Sequence, residues 1–360
     1  MWLTGHGPEH PLKPERLQRT YELMDEAGLF AARNVRRVEP AQATVDQLLL
    51  FHTREYIEAV QALSAGESGP GLRPWRFNFG PGDNPVFPGM HELYALAAGA
   101  ALRGAAMLVR GECDTAFSFG GGLHHAWRDH ASGFCVYNDA VVAITRLVQQ
   151  RQRVAYVDID VHHGDGVQYA FDDSDRVLTI SFHQDGHTLF PGTGFIEETG
   201  RGAGSGFGVN LPLPAFTDDE AYLWAFDRIV PDLVRRFQPD VVVTQLGVDT
   251  HYLDPLAELS LTTHGQEALF RRLAQLAPRW LALGGGGYNL DVVPRAWTLA
   301  LAVMAEVNLP VDLPPDYRQR HGGSTYHDEV GPDLDEELRH RVRRIVEERV
   351  TRLRELAGLK

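Results

Sequence analysis

The feature that most constrains the fold is an alternation of short apolar segments with segments of helical periodicity. The apolar segments are hydrophobic on both faces and end in Gly, His or Asp, as buried parallel strands do. They span residues 114–119, 153–161, 176–182, 240–247 and 279–285. Helical spacing occurs at 44–63, 89–110, 139–151, 218–237, 264–277 and 292–306. This alternation predicts an α/β fold, with a single open parallel β-sheet flanked by helices on both faces.

The remaining segments predict how the chain is divided. The helix at 44–63 opens with a capping box of Thr44 and Gln47, and the Gly/Pro-rich segment 65–89 is predicted to be a long surface loop. Because no repeat or low-complexity linker interrupts the chain, we expect one domain over 1–315 and a charged segment over 316–360 packed on it. That segment ends in an amphipathic helix. Its apolar side is predicted to be Leu338, Val342, Ile345, Val346, Val350 and Leu353.

Composition restricts the functional class. The net charge of −14 disfavours nucleic-acid binding and suits neutral or cationic substrates. No stretch of about eighteen apolar residues predicts a membrane span, and the N-terminus lacks the pattern of a secretory signal. The two cysteines are too few for a disulfide framework. We therefore expect a cytoplasmic protein that binds neither nucleic acid nor membrane.

Every unusual polar cluster follows a predicted strand. The clusters are "GGGLHHA" (120–126), "DIDVHHGDG" (158–166), "SFHQDG" (181–186), "LGVDTH" (246–251) and "GGGGYN" (284–289). In open α/β sheets, ligands bind outside the carboxyl ends of the strands. If the strands are neighbours, the five clusters meet in one cleft, and that cleft is the predicted functional site.

The second cluster has the pattern of a metal site. In extended chain Asp158, Asp160 and His162 share one face. Asp160 and His162 could reach one ion, and Asp249 from another strand end could supply a third ligand. An Asp–His–Asp set leaves positions open for water and substrate, as catalytic sites do. Zinc is the first expectation, and Fe²⁺ or Mn²⁺ would also fit the ligands. A single Asp-x-His pair is as often a capped turn, but three converging segments favour the metal.

The doublet His124–His125 has a different interpretation, because neighbouring residues usually point different ways. Two imidazoles near the spare carboxylates of Asp158 and Asp165 suggest His–Asp pairs. A carboxylate that accepts the Nδ1 proton raises the basicity of Nε2, which suits acid–base catalysis. The alternative is a pair of solvent-exposed histidines at a helix start.

Three aromatic residues complete the predicted cleft. The segment "LGGGGYN" lacks the Lys-Ser/Thr of a phosphate-binding loop, so its glycines are expected to let backbone pass close to a ligand. Tyr288 would then stand at the mouth, where its hydroxyl could donate to an oxyanion. Phe134 and Phe190 are either core residues or the walls of an apolar channel to the metal. Together, the features predict metal-assisted hydrolysis of a carbonyl compound, most consistently an amide.

The same segments resemble the zinc-dependent histone deacetylase family, which has the arginase/deacetylase fold. The resemblance is carried by "GGGLHHAWRDHASGFCVYNDAVVAI", "VAYVDIDVHHGDGVQ", "FPGTG", "LGVDTHYLDPLAELSLT" and "LGGGGYN", and runs from about residue 10 to about residue 300. The prokaryotic acetoin-utilisation branch and the class I enzymes look most similar.

The resemblance implies a role for each site residue. It implies zinc at Asp160, His162 and Asp249. It pairs His124 with Asp158 and His125 with Asp165. In the family the position of His125 is usually favoured as general base and acid, with that of His124 mainly electrostatic, and the position of Tyr288 as the tyrosine that stabilises the transition state.

Substrate and ion sites also follow from the resemblance. The acetyl-lysine tunnel would be lined by Gly133, Phe134, Phe190 and Gly286. Asp83 matches a rim aspartate that holds substrate backbone, and Arg16 matches an arginine of an internal channel. Structural potassium is implied at two sites. The first comprises Asp158, Asp160, His162, Ser181 and Phe182, and the second Phe171, Ser174, Val177 and Phe207.

Three departures from the family pattern affect what is expected. Class I enzymes have an arginine, used for inositol phosphate and corepressor contact, where this chain has Asp291. The tail lacks a long nuclear extension and a Lys/Arg-rich nuclear signal. The family usually has a first strand before "HP" (residues 10–11), and in this chain that strand is expected to be missing or altered.

We therefore expect a zinc-dependent lysine deacetylase acting on an acetylated protein, with acetyl-CoA synthetase as the example. The alternative is an acetylpolyamine amidohydrolase acting on small acetylated amines. A binuclear manganese ureohydrolase is disfavoured, because His124, His125 and Tyr288 replace the carboxylates that its second metal needs. A non-catalytic acetyl-lysine-binding protein would require loss of Tyr288 or of a ligand, and none is lost.

Overall fold

A single parallel sheet organises the molecule. The computed structural model describes residues 5–69, 72–276 and 278–359. Its six strands pair only in parallel, in the spatial order β1-β6-β5-β2-β3-β4. They are β1 (Thr115–Ser118), β2 (Val154–Asp158), β3 (Val177–Gln184), β4 (Gly208–Leu213), β5 (Val241–Gln245) and β6 (Trp280–Leu283). The predicted α/β architecture is confirmed.

Helices cover both faces of the sheet. They are α1 (Glu15–Glu26), α2 (Val45–Leu48), α3 (Arg54–Ser64), α4 (Met90–Val109), α5 (Asp139–Gln149), α6 (Asp165–Ala170), α7 (Asp219–Phe237), α8 (Thr263–Leu273), α9 (Val292–Met304), α10 (Pro315–His321) and α11 (Glu336–Leu356). Helices α4 and α5 share an apolar cluster with one face, while α7, α8, α9 and α11 share the larger cluster with the other. Two apolar layers therefore enclose the sheet, as a parallel sheet requires.

The centre of the sheet determines where the site lies. Strand β2 is buried along its whole length and pairs with β5 on one side and β3 on the other. At its last residue, Asp158 stands opposite Gln245 and Ser181. All strands point the same way, so the polar clusters after them meet at one edge of the sheet.

Two predicted elements have different bounds. The prediction of a single helix at 44–63 is wrong, because α2 ends at Leu48 and α3 begins at Arg54. Thr53 caps α3, since its side chain accepts a hydrogen bond from the backbone N–H of Tyr56. The capping box at Thr44 and Gln47 is present. The strand expected at 153–161 ends at Asp158. The N–H of Asp160 donates to the side chain of Asp158 and is therefore not used for pairing with a neighbouring strand.

Strand β4 was not predicted from the sequence. Its residues "GVNLPL" contain Gly and Pro, which argue against a strand in a central position. In the structure β4 lies at the edge of the sheet, and a proline is tolerated there because a ladder is needed on one side only. Helices α1, α6 and α10 are also additional to the predicted set.

The Gly/Pro-rich segment after α3 is only partly a surface loop. A 3-10 helix forms at Pro74–Phe77. Phe77, Phe79 and Phe87 are buried in an apolar cluster shared with α3 and α4. The aromatic residues of this segment therefore anchor it, and the prediction of an exposed loop is wrong for these positions.

Helix α4 is, by length and composition alone, apolar enough to cross a membrane. Half of its most apolar 18-residue stretch is buried in the protein. Ala101, Ala105 and Leu108 pack in the apolar cluster on one face of the sheet. Core helices of soluble proteins pass the same test, so the helix is weak evidence for a membrane span. The cytoplasmic location stays a prediction.

The C-terminal helix packs on the main body of the fold. Val342, Val346, Val350 and Leu353 are buried in the cluster shared with α7, and Leu338 is half-buried against it. Ile345 remains partly exposed. The division of the chain at residue 315 remains a prediction. The question of a missing first strand falls partly on residues 1–4, outside the described residues, and residues 5–14 contain no strand.

Candidate active site

The three predicted metal ligands lie together at the end of β2 and β5. Within the described residues, Asp160, His162 and Asp249 form the one group of acidic, His and Cys side chains close enough to share an ion, with ligand atoms within 4.8 Å of one another. Nδ1 of His162 is 3.0 Å from Asp160 Oδ1 and 3.2 Å from Asp249 Oδ2. All three residues are buried.

This group fits a divalent cation on its own chemistry. Asp249 Oδ2 is buried, and the 3.2 Å contact with His162 Nδ1 does not have hydrogen-bond geometry, so the oxygen remains available to a cation. Burial and the negative charge of Asp160 raise the pKa of Asp249 to about 6. Against the effect of burial, the charge of His124 and the hydrogen bond from His162 lower the pKa of Asp160. Asp160 and Asp249 raise the pKa of His162 to about 10, also against burial. Without an ion, a positive charge on His162 thus offsets the two carboxylates, and a bound cation would take over that role.

Surrounding groups orient the ligands. Gln245 Nε2 and the N–H of Gly286 both donate to Asp160 Oδ2, and the N–H of Val161 donates to Asp249 Oδ1. A Cβ at Gly286 would lie 1.9 Å from Asp249 Oδ2. Glycine is therefore required there, because the backbone itself forms the wall of the ligand group.

His124 and Asp158 form the first buried pair. Nδ1 of His124 is 2.7 Å from Asp158 Oδ2, which also accepts from the hydroxyl of Tyr156. Burial opposes protonation of His124, but the charges of Asp158 and Asp160 outweigh it and raise its pKa to about 9. This imidazole is therefore cationic at neutral pH.

His125 and Asp165 form the second pair, with Nδ1 2.7 Å from Asp165 Oδ1. Burial and the positive charge of His124 lower the pKa of His125 to about 4, against the opposing effect of Asp165. His125 is therefore neutral at neutral pH, with Nδ1–H on the carboxylate and Nε2 left as an acceptor. The doublet comprises one charged and one neutral imidazole.

Tyr288 lies beside this group on the glycine loop after β6. Its backbone N–H donates to Asp254 Oδ2 over 2.8 Å, and its ring meets Phe134 edge-on at 5.8 Å between centroids. Burial, followed by the charges of Asp249 and Asp160, raises the pKa of Tyr288 well above its usual range. Its phenol therefore stays protonated and can donate a hydrogen bond.

Two of the predicted tunnel residues, Gly133 and Phe190, lie against His125. The ring of Phe190 lies 5.0 Å from that of His125 and is 43% exposed. Gly133 has φ +50°, and a Cβ there would lie 2.4 Å from His125 Cδ2 and 2.9 Å from Phe190 Cε1. Phe134 also adopts a positive φ, of 68°. Phe190 therefore lies against His125, and the half-buried Phe134 lies against Tyr288.

Two predicted residues lie outside this inner group. The side chain of Asp83 is exposed, and its carbonyl oxygen lies 3.2 Å from His10 Nε2. Arg16 is buried and donates to the carbonyls of Gly285 and Gly287 at 2.7 and 3.1 Å. Arg16 therefore braces the glycine loop that carries Tyr288.

His163, to which the sequence assigns no role, is buried on the other side of the ligand loop. Its Nδ1 lies 2.8 Å from Thr193 Oγ1 and its Nε2 lies 2.9 Å from Gln168 Oε1. Of the residues expected at the first potassium site, Asp158 and Ser181 face each other in adjacent strands. At the second, the N–H of Ser174 donates to the carbonyl of Phe171.

Several contributors were not found from the sequence. Gln245 orients a ligand, Asp254 holds the backbone of Tyr288, and Asp139 accepts from the N–H groups of Gly122 and Leu123 ahead of the doublet. Gln245 and Asp254 flank the "LGVDTH" cluster, so their position beside a strand end was a usable signal. Asp139 is the first residue of α5, and the sequence around it does not indicate its contact with the loop before the doublet.

The geometry can be compared with known proteins. A family model described as "Histone deacetylase domain" matches residues 10–304, which span α1 to α9 and the whole sheet. Helices α10 and α11 lie beyond the matched range.

Curated proteins of bacteria and eukaryotes are similar over most of the chain. The "Acetoin utilization protein AcuC" of Bacillus subtilis is 41% identical over 316 residues, covering 86% of this chain and 81% of that protein. The "Histone deacetylase RPD3" of Saccharomyces cerevisiae is 37% identical, covering 91% of this chain and 75% of that protein. The human "Histone deacetylase 1" is also 37% identical, covering 91% and 66% respectively.

Proposed function

The chain belongs to the histone deacetylase family of hydrolases, and on that premise we propose that it removes the acetyl group from acetyl-lysine in a protein, using zinc. One observation carries the proposal: two buried His–Asp pairs adjoin an Asp–His–Asp group that suits a metal ion. This combination supplies metal binding and proton transfer in one cleft, which amide hydrolysis requires.

Asp160, His162 and Asp249 would hold the metal. Zn²⁺ suits this ligand set, and Fe²⁺ is compatible with it in the cell. Bound there, the ion would polarise the substrate carbonyl and make water more acidic. Gln245 and Gly286 support the ligands by fixing the carboxylate of Asp160.

His125 is proposed as the general base and acid. Its Nδ1 is held by Asp165, and its low pKa leaves Nε2 unprotonated at neutral pH. Nε2 accepts a proton from the attacking water and then donates it to the leaving lysine amine. An amine is a poor leaving group without that proton, so one histidine serves both steps.

His124 and Tyr288 are proposed to stabilise the negative charge that develops on the carbonyl oxygen. His124 contributes its positive charge, which Asp158 maintains. Tyr288 contributes a neutral hydroxyl donor. Donors fixed in a water-poor site stabilise an oxyanion without reorganising during the reaction.

Substrate contacts are proposed for the residues around His125. Gly133, Phe134, Phe190 and Gly286 would line the path of the acetyl-lysine side chain. The exposed Asp83 would accept hydrogen bonds from substrate backbone at the rim. Potassium is proposed at the two sites expected from the family, to stabilise the loop at the end of β2; Asp158 and Ser181, which face each other there, support the first site.

We propose an acetylated protein as the substrate, with acetyl-CoA synthetase as the first candidate. The similarity to an acetoin utilization protein supports this choice by analogy. An activity panel tests it, comparing acetylated acetyl-CoA synthetase, acetyl-lysine peptides and acetylspermidine. We expect acetate release from the first two, and faster turnover of acetylspermidine would replace the proposal by a polyamine deacetylase.

Metal removal tests the chemistry. We expect a chelator to abolish acetate release and Zn²⁺ to restore it, with one transition-metal ion per chain by elemental analysis. The metal binds the folded state, so removing it should also lower the melting temperature. Full activity in metal-free protein would contradict the proposal.

A further inference from the structure

His163 is the one polar residue of the "DIDVHHGDG" cluster without a place in the proposed chemistry. Its side chain is almost completely buried, and it follows the ligand His162 directly in the chain. A buried imidazole must have its ring nitrogens hydrogen-bonded to be retained at low cost. Its partners therefore indicate what it holds.

The hydrogen-bond network determines the tautomer of His163. Gln168 donates through Nε2 to Glu198 and accepts through Oε1 from Asn210 Nδ2. Its Oε1 is therefore the atom that faces His163 Nε2, so Nε2 must carry the proton. Nδ1 of the neutral ring is then an acceptor, and the hydroxyl of Thr193 donates to it over 2.8 Å.

Thr193 lies in the loop that carries Phe190, which connects the end of β3 at Gln184 to the start of β4 at Gly208. The next residue, Gly194, is held by the second buried imidazole of this region, because His183 Nε2 donates to its carbonyl over 2.9 Å. The two rings pack so closely here that a Cβ on Gly194 would lie 2.6 Å from His163 Cγ. The loop is therefore attached to the interior at Thr193 and Gly194, three and four residues after Phe190.

Phe190 directly follows Leu189, which packs against the large apolar cluster and whose N–H donates to the carbonyl of Asp185. Its ring is 43% exposed and contacts His125 at 5.0 Å and His162 at 6.3 Å between centroids. A ring in this position limits the space above the reacting groups. The contact of Thr193 with His163 holds the segment after Phe190, as the packing of Leu189 holds the segment before it.

We infer that His163 and Thr193 form a clamp that positions Phe190 and thereby determines which acyl chains the site accepts. The inference rests on the function proposed above and adds a specificity-determining contact to it. His163 and Thr193 are positioning residues, because they act through Phe190 and not on the substrate.

Thr193→Val tests the clamp, because valine keeps the shape of threonine and removes the hydroxyl. We expect the ratio of kcat/KM for butyryl-lysine to kcat/KM for acetyl-lysine to rise about three- to tenfold, the effect of one lost hydrogen bond. With acetyl-lysine as substrate, Thr193→Val should change KM and leave kcat close to wild type, because the proton-transfer groups are intact. Thr193→Ser keeps the hydroxyl and should restore the wild-type ratio.

Thr217→Val is the matched control, because Thr217 is a buried threonine between β4 and α7 whose hydroxyl donates to the carbonyl of Pro214 over 2.7 Å, outside the Phe190 loop. We expect this variant to leave the acyl ratio unchanged. An unchanged ratio in Thr193→Val, or an equal shift in Thr217→Val, would overturn the inference.

A second measurement keeps the clamp testable if the proposed function fails. If the wild-type enzyme releases no acyl group from any lysine peptide, amide hydrogen exchange over residues 186–194 still reports the attachment. We expect exchange there to be about threefold or more faster in Thr193→Val than in wild type. Equal exchange rates would reject the clamp independently of activity.

Discussion

At the residue scale, the doublet His124–His125 illustrates how two neighbouring imidazoles acquire different protonation. Both are buried and both hydrogen-bond a carboxylate at 2.7 Å. His124 also experiences the charge of Asp160, whereas His125 experiences the positive charge of His124. The proton on His124 therefore disfavours protonation of His125. The site thus contains a positively charged imidazole next to a neutral imidazole that can act as a base.

The proposed role of Tyr288 leads to a prediction at the same scale. Tyr288→Phe should lower kcat about a hundredfold or more, because one hydrogen-bond donor to the oxyanion is lost. The metal content should not change, since the ligands are on other strand ends. Steady-state kinetics with elemental analysis measures both.

Tyr252→Phe is the control for that experiment. Its hydroxyl donates to the carbonyl of Val330 at the surface, so the same chemical change is made outside the proposed site. We expect wild-type kcat. A Tyr288→Phe enzyme with a wild-type rate would refute the role of the phenol.

At the element scale, helix α5 combines its own start with support of the histidine loop. Asn138 is its N-cap: Oδ1 accepts from the N–H of Val141, and Nδ2 donates to the carbonyls of His124 and Ala126. One side chain thus satisfies the helix end and fixes the backbone of the doublet.

Asn138→Ser separates these two functions. Serine retains the cap, but it cannot reach the two carbonyls, which become unsatisfied at a cost of about 1–3 kcal/mol in the free energy of unfolding. We also expect kcat/KM to fall about tenfold, because displacing the general base from its position lowers the rate by more than the loss of two hydrogen bonds would suggest. Denaturant unfolding and steady-state kinetics give the two values.

The comparison is Asp218→Ala, which removes the N-cap of α7 away from the doublet. It should lower the free energy of unfolding by about 1 kcal/mol and leave kcat/KM unchanged. If both variants reduce activity in proportion to their stability, Asn138 has no positioning role.

For the molecule as a whole, Asp328 connects the C-terminal segment to α8, to α9 and to the loop after β5. Its carboxylate accepts hydrogen bonds from His251 Nε2 at 2.8 Å, Thr263 at 2.8 and 2.9 Å, and Arg295 at 2.9 Å. Burial alone would raise the pKa of Asp328, but the bond to His251 and the positive charges around it lower the pKa well below its usual range.

Asp328→Asn should therefore destabilise the fold in a pH-dependent way. The folded pKa is depressed, so the stabilisation is complete above the unfolded pKa of about 4 and is lost as the pH falls through the folded value. We expect a loss of about 2 kcal/mol in the free energy of unfolding at pH 7, shrinking as the pH falls from 5 towards 2. Denaturant titrations across that range measure it.

Asp333→Asn changes the same residue type at an exposed position of the same segment. Its free energy of unfolding should follow the wild-type value at every pH. A pH-independent difference between wild type and Asp328→Asn would show that the ionised carboxylate is not the source of the stabilisation.

Much of the fold was predictable, because buried parallel strands and amphipathic helices have local patterns. Five of the six strands and the helices over 89–110, 139–151 and 218–237 occur within a few residues of their predicted bounds. The failures have local causes. Thr53 caps a new helix in the middle of the predicted helical segment. Strand β4 is an edge strand that contains Gly and Pro, which are unfavourable in central strands, so its sequence does not predict a strand.

By itself, the sequence determined the architecture, the strand ends at which polar groups meet and the identity of the three candidate ligands. These depend on residue type and on spacing along one strand. The tertiary structure alone revealed that Gln245 and Asn138 hold the site from other elements and that His163 faces Thr193. The physical reason is that a hydrogen bond or a pKa depends on distances of a few ångströms between groups far apart in the chain, and only packing brings those groups together.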